Sequence, residues 1–221
     1  VIPIFSVKDN PRVTFEENEY KEFLSAIRKC IKSGEIVRGH AISDEFYYFV
    51  CIIVHSYLCP TDREAFALKH KDISPNDDGT INLRVTKGKT DFRQSFSTES
   101  GSDFYNYLKR INCDYSKPDN YLFLPKMENR AHANRTFQRM FNYVLETHNL
   151  KLDKDGQPRT TYSLRHYALQ TRLNKSGGKV NIYDLARNAG TSVNQLERFY
   201  LKRMKVSQKQ RERLNRFDST E

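Results

Sequence analysis

Cysteine is scarce. Four occur in 221 residues, at Cys30, Cys51, Cys59 and Cys113. None forms a CxxC pair or shares a metal-ligand spacing with a histidine, so the pattern predicts reduced thiols in a cytosolic protein, with no disulfide framework and no metal. Long apolar runs are missing as well. The most apolar stretch, FYYFVCIIVHSYLC, is too short to span a bilayer and carries His55, so it predicts a buried core helix. No signal peptide, internal repeat or low-complexity linker is legible. Acidic residues are short: 27 Asp and Glu stand against 37 Lys and Arg, a formal net charge of +10. That balance favours a polyanionic partner, above all nucleic acid. A membrane surface is disfavoured, because no basic helix carries a clean apolar face. The chain opens on Val1, and the expectation is a processed product or fragment with further N-terminal domains ahead of it.

What is present reads as a mainly α domain with a small antiparallel β-sheet. Thr14 is the expected N-cap of a first helix, with Glu17 closing a capping box, and Gly34 is its stop. Ser43 or Asp44 caps the apolar helix, and Pro60 breaks it. A short helix is expected through DREAFAL. GTINLRVT and DFRQSFS alternate apolar and polar residues around KGKT, which predicts a β-hairpin with lysines at its tip. Further helices are expected over Asp103–Ile111, through ANRTFQRMFNYVLETHNL, over Thr161–Leu173 and around Ile182–Arg187. YLFL reads as a short strand or buried edge. The basic tail, 201–221, reads as a helical arm.

Two segments carry chemistry. In TYSLRHYALQTRL, Tyr162 and Arg165 share a helix face. Arginine is suited to gripping phosphate through its planar fork, although a lone helical arginine is also an ordinary surface ion-pair partner. LARNAGTSVNQLERFY has the small residues, turn glycine and second helix of a helix-turn-helix.

Together these strings resemble the tyrosine recombinase family of phage-type integrases. The family pattern runs His-x-x-Arg, then a His or Trp after a glycine, then the nucleophilic tyrosine nine residues on. Arg165 takes the arginine position, Thr191 follows Gly190, and Tyr200 falls nine residues after Thr191. Upstream, CPTDREAFALKHKDI looks like the family's first box, and RVTKGKTDFRQSF resembles the segment carrying its catalytic lysine. The likeness covers nearly the whole chain as a single catalytic domain over 1–221, without the family's N-terminal DNA-binding domains. It implies attack of the Tyr200 hydroxyl on a DNA phosphodiester, giving a 3′-phosphotyrosine link and a free 5′-hydroxyl. The link conserves bond energy, so neither ATP nor a metal or other cofactor is needed. Arg165 would clamp the phosphate, and Lys87 or Lys89 would protonate the leaving oxygen.

Three positions depart from the pattern. Tyr162 stands at the usual histidine, and Thr191 at the His or Trp. Thr191 also reads as an N-cap before SVNQL. In one register Cys59 takes the first catalytic arginine's place and Asp62 the supporting acid's; in another, anchored on Glu64, Leu68 and Asp72, Thr61 takes it. Neither supplies an arginine, and Arg63 is the nearby substitute. A thiol carries no positive charge, so the resemblance implies weakened cleavage. Arg63, Lys89, Arg135, Arg139, Arg172 and Lys175 are candidate DNA contacts, together with the basic tail, which is a candidate segment for exchange between protomers. The implied partner is double-stranded DNA, bound by a tetramer on two duplexes, in the cytoplasm of a bacterium at its nucleoid. The rival readings are a helix-turn-helix regulator using Ser192, Asn194 and Gln195, a recombinase-fold protein that binds without cutting, and a type IB topoisomerase.

Overall fold

The second helix organises the molecule. The computed structural model describes residues 13–88, 91–176 and 179–199, with Gln208, Arg211, Glu212 and Asn215 beyond; the side chains of Lys87, Asp91 and Phe199 fall outside that description. Helix α1 spans Glu17–Ser33 and α2 spans Asp44–Ser56. Nine of the thirteen α2 residues are buried, from Phe46 to Ser56. A helix apolar nearly all round belongs in an interior. Accordingly α1, α3 (Glu99–Ile111) and α5 (Tyr162–Lys175) all pack on it. Helix α4 (Arg130–Thr147) packs on α1 and adds Phe137 and Phe141. Phe49 and Phe137 meet with ring centroids 4.9 Å apart, and Phe46, Phe66 and Phe123 close around them. Each such burial stabilises by about 1.5–3 kcal/mol.

A two-stranded ribbon, β1 (Ile36–Val37) with β2 (His40–Ala41), follows α1. The main sheet is antiparallel in the order β3 (Ile73–Pro75), β4 (Ile81–Gly88), β5 (Asp91–Ser97). Ile81, Leu83 and Val85 alternate into the core, and Val85 lies opposite Arg93. The expected hairpin is present, with Lys87 in β4; Lys89 lies outside the described residues. Helices α6 (Ile182–Ala189) and α7 (Val193–Phe199) follow. The architecture is the mainly helical fold with a small antiparallel sheet that the sequence predicts. None of the described helices is long and apolar enough to cross a membrane.

Local expectations need four corrections. Helix α1 is capped at Glu16, whose N–H donates to Glu19 at 2.8 Å, and not at Thr14. The reason is tertiary: Arg159 Nε donates to the Thr14 carbonyl at 3.0 Å and Phe15 is buried, so the chain stays extended there. Helix α2 stops at Ser56, before Pro60, because Tyr57 adopts the left-handed conformation at φ 58°. The segment DREAFAL shrinks to a 3-10 turn over Ala65–Ala67, because the Glu64 side chain turns back onto the chain. Finally, α3 begins at Glu99, where Gly101 lets the helix press against Ser97 and His55. YLFL is a buried edge tied by one bridge between Tyr121 and Lys69. The tail 201–221 lies almost wholly outside the described residues.

Candidate active site

Three stretches far apart in sequence meet at Arg165. Helix α5 carries it inward, so the residue is only 5% exposed. Its Nη1 donates to the carbonyl of Tyr57, and its Nη2 to the carbonyl of Ala189 at 2.5 Å. The left-handed turn at Tyr57 and the end of α6 thus both aim carbonyls at one guanidinium. Such charge-assisted bonds hold a planar group in a single orientation.

Glu64 lies beside it, 4% exposed, with Oε1 4.0 Å from Arg165 Nη1. The same oxygen accepts the Cys59 N–H at 2.7 Å. Residues 59–65 wrap tightly, since the Thr61 and Ala65 amides both donate to the Cys59 carbonyl. The acid beside Arg165 is thus the one that anchors the second sequence register, and Cys59 meets it through its backbone. Glu64 is the carboxylate at Arg165; Asp62 is partly exposed on the turn, and Arg63 points to solvent. Thr61 is partly exposed on the same turn.

Cys59 is half-buried beneath Tyr162. Burial pushes its thiol above the ordinary range, opposed in part by Arg165. Burial likewise raises the Tyr162 hydroxyl to about 12, with the adjacent Cys59 adding to the effect. Both groups are therefore neutral at physiological pH. Tyr162 remains 42% exposed, so it forms part of the site's outer wall. His166 is buried on the same helix, its ring 6.3 Å from that of Tyr162.

The turn after α6 is built as a cap. Gly190 takes φ 63° and its N–H reaches back to Ala186 and Arg187; the Thr191 N–H donates to the Ala186 carbonyl at 2.9 Å. Ser192, not Thr191, caps α7, through its Oγ and the Gln195 N–H at 3.2 Å. The Thr191 hydroxyl takes no part in that cap. Helix α7 ends at Phe199; Tyr200 lies outside the described residues.

Two residues in this region escaped the sequence reading. Arg93, on β5, makes an ion pair with Glu64 at 2.5 Å and donates from Nε to the Asn188 carbonyl at 3.4 Å. Asn188, 8% exposed, accepts the Phe96 N–H at 2.6 Å and returns a bond to the Phe96 carbonyl at 3.2 Å. The alternation of DFRQSFS places Arg93 on the same side as Ser95 and Ser97, the side turned inward, which is the one signal that singles it out.

The remaining basic candidates scatter. Arg135, Arg139 and Arg172 are exposed, and Lys175 is tied to Glu17 at 3.1 Å. Among the described residues no group of histidine, cysteine and acidic side chains is placed to hold a metal.

No protein-family model matches this sequence, and no curated protein sequence matches it. Solved structures do. XerA recombinase superposes with a TM-score of 0.63 at 18% identity, over 92% of this chain and 64% of that one. XerH site-specific recombinase, in a post-cleavage complex with its palindromic difH substrate, gives 0.62 at 17%, over 88% and 51%. The Tn1549 transposon integrase, in complex with transposon right end DNA, gives 0.59 at 17%, over 93% and 65%. This chain thus spans between half and two thirds of the length of those proteins. Its fold is that of the tyrosine recombinase catalytic domain.

Proposed function

We propose that the chain is the catalytic domain of a site-specific DNA recombinase or integrase working through a 3′-phosphotyrosine intermediate. The observation that carries this is the convergence on Arg165 of the Tyr57 turn, Glu64 and the end of α6. These are the pieces a phosphate clamp beside a tyrosine would require, and the fold supports the same reading.

In this reading the Tyr200 oxygen attacks the scissile phosphorus and its proton leaves to water. The bond from phosphorus to the 5′-oxygen breaks, and a hairpin lysine, Lys87 or Lys89, protonates that oxygen. An unassisted tyrosine is a weak nucleophile at neutral pH, because its pKa is about 10. The protein must therefore stabilise the crowded phosphorane, whose extra negative charge calls for oriented cations and donors. Arg165 supplies one; Tyr162 and Thr191 supply neutral hydroxyl donors. Arg63, Arg135, Arg139 and Arg172 are exposed cations suited to phosphates along the duplex, and would steepen the salt dependence of binding without choosing sequence. A tetramer on two duplexes, with the 201–221 arm exchanged, is the assembly this chemistry calls for.

The test is covalent trapping. Nicked duplexes with randomised flanks lose the cleaved end on attack, so a reaction leaves a protein–DNA adduct stable to SDS. Wild type should give the adduct, and Tyr200→Phe should not. A second reading, binding without cutting, is favoured by the neutral thiol at Cys59. Retarded DNA with no adduct at any protein concentration would establish it and overturn the first.

A further inference from the structure

We infer that Arg93 is the second phosphate-binding cation of this site, doing from the β-sheet the work that Cys59 cannot do. The inference rests on the strand-transfer reading above.

Position comes first. Arg93 Nη2 and Arg165 Nη1 address the same oxygen, Glu64 Oε1, at 2.5 and 4.0 Å. Each also bonds one of two adjacent carbonyls at the end of α6, Asn188 for Arg93 and Ala189 for Arg165, and Arg165 bonds the Tyr57 carbonyl besides. The two guanidiniums therefore flank one carboxylate and one helix end. The Arg93 side chain is 10% exposed, so it is held in the site rather than spread on the surface. Among the described residues its Nη1 makes no hydrogen bond. That nitrogen lies 2.8 Å from where a Cβ on Gly190 would sit, beside Thr191.

Charge gives the second argument. Arg93 and Arg165 contribute two formal positive charges and Glu64 one negative. Cys59 and Tyr162 contribute none. Among the described residues Glu64 is the acid paired with both arginines, so the pair carries one positive charge more than its carboxylate balances, which is costly away from water unless an anion completes it. If Arg93 served only to neutralise Glu64, the site would hold a cation too many, because Arg165 already lies against the same acid. A phosphodiester carries one negative charge and balances the cluster.

The third argument comes from the vacancy. Cys59 brings its backbone N–H, not a cation, to Glu64. An arginine side chain at 59 would compete with Arg93 for that carboxylate. With Cys59 short and neutral, Arg93 can enter from β5 and occupy the place.

The experiment compares two duplexes selected by trapping with wild type. One has the natural scissile phosphodiester. The other has a methylphosphonate there, in which a methyl group replaces a non-bridging oxygen and removes its charge. Arg93→Gln should slow adduct formation on the phosphodiester by about 10²–10³-fold. On the methylphosphonate its deficit relative to wild type should shrink to less than tenfold, since that substrate has less charge to neutralise. Adding Cys59→Arg to Arg93→Gln should restore at least tenfold of the lost rate on the phosphodiester. A merely structural arginine would depress both substrates alike, and that result overturns the inference. So does an Arg93→Gln rate within threefold of wild type. If Arg93→Gln does not fold by circular dichroism, Arg93→Lys, which keeps the charge without the fork, is put through the same ratio. Unequal deficits on the two duplexes support the inference and equal ones overturn it. Absence of any wild-type adduct overturns the strand-transfer reading and this inference with it, whereas a wild-type adduct indifferent to Arg93 overturns this inference alone.

Discussion

The side-chain amide of Asn188 pairs with both backbone groups of Phe96, accepting its N–H at 2.6 Å and donating to its carbonyl at 3.2 Å. Helix α6 is thereby joined to β5 as though it were a neighbouring strand. Ser95 adds a third bond, from its hydroxyl to Asn188 Oδ1 at 3.1 Å. This fixes the height of the Gly190 turn against the sheet that carries Arg93.

Asn188→Ala should therefore cost about 1–3 kcal/mol, because it leaves the part-buried N–H and carbonyl of Phe96 without their partner, while the Ser95 hydroxyl keeps the Ser56 carbonyl at 3.5 Å. Chemical denaturation will measure the loss. Adduct formation should fall further than the lost folded fraction explains, since the turn and β5 are no longer held in register.

Gly190→Ala tests the turn from the other side. A left-handed φ of 63° costs a non-glycine residue about 1–2 kcal/mol, and the new methyl would sit 2.8 Å from the Arg93 guanidinium. The expected result is a modest drop in melting temperature with a larger loss of strand cleavage. A drop in stability with full cleavage would show that the Arg93 position is unimportant.

Arg159 predicts a large stability effect away from the site. It is 1% exposed and donates to the carbonyls of Thr14, Leu150 and Leu152, pairs with Glu19 at 2.6 Å, and lies over the Phe15 ring. Arg159→Met would leave the three carbonyls without this donor, while Glu19 keeps the Glu16 N–H and its access to water, and should cost about 3 kcal/mol in a denaturant titration.

Stability should also fall in mild acid. Burial holds the His55 and His70 imidazoles below their usual 6.5, with Lys109 adding to the effect at His70. The unfolded chain therefore takes up protons near pH 6.5 that the folded chain refuses. Their contribution is complete above that pH and is lost as pH falls toward the folded values. Unfolding free energy should decline between pH 7 and 5, and His55→Gln with His70→Gln should flatten that slope. Carboxylates held low by lysine partners, such as Glu17 and Asp119, act in a separate and more acidic window.

Much of this was legible from the chain. A continuous apolar run marked α2, alternation marked the β4–β5 hairpin, and Gly34 and Gly190 marked helix ends, because these signals are local. Arg165 stood out through its motif, and the fold buries it beside Glu64. The rest depends on distant partners. No local pattern tells Glu64 from Asp62 as the acid at Arg165; that follows from a turn closed on the Cys59 peptide and from Arg93, 29 residues on. Asn188 reads as one polar residue in a short helix until Phe96, 92 residues earlier, presents its backbone. Thr14 was misread as a cap because Arg159, 145 residues away, claims its carbonyl. Tyr200 and Lys89 lie outside the described residues, so their roles rest on sequence and on the proposed chemistry.

The anchoring of Arg165 has a consequence for the order of folding. Its partner carbonyls belong to Tyr57, 108 residues before it, and Ala189, 24 after. Closing loops of that size is slow compared with forming a helix or a hairpin. The Arg165 anchor is therefore complete only once the Tyr57 turn, α5 and the end of α6 have come together. In the strand-transfer reading, a chain still emerging from the ribosome, or half unfolded by stress, would carry Tyr200 without an anchored Arg165. In that reading strand cleavage waits on completed folding.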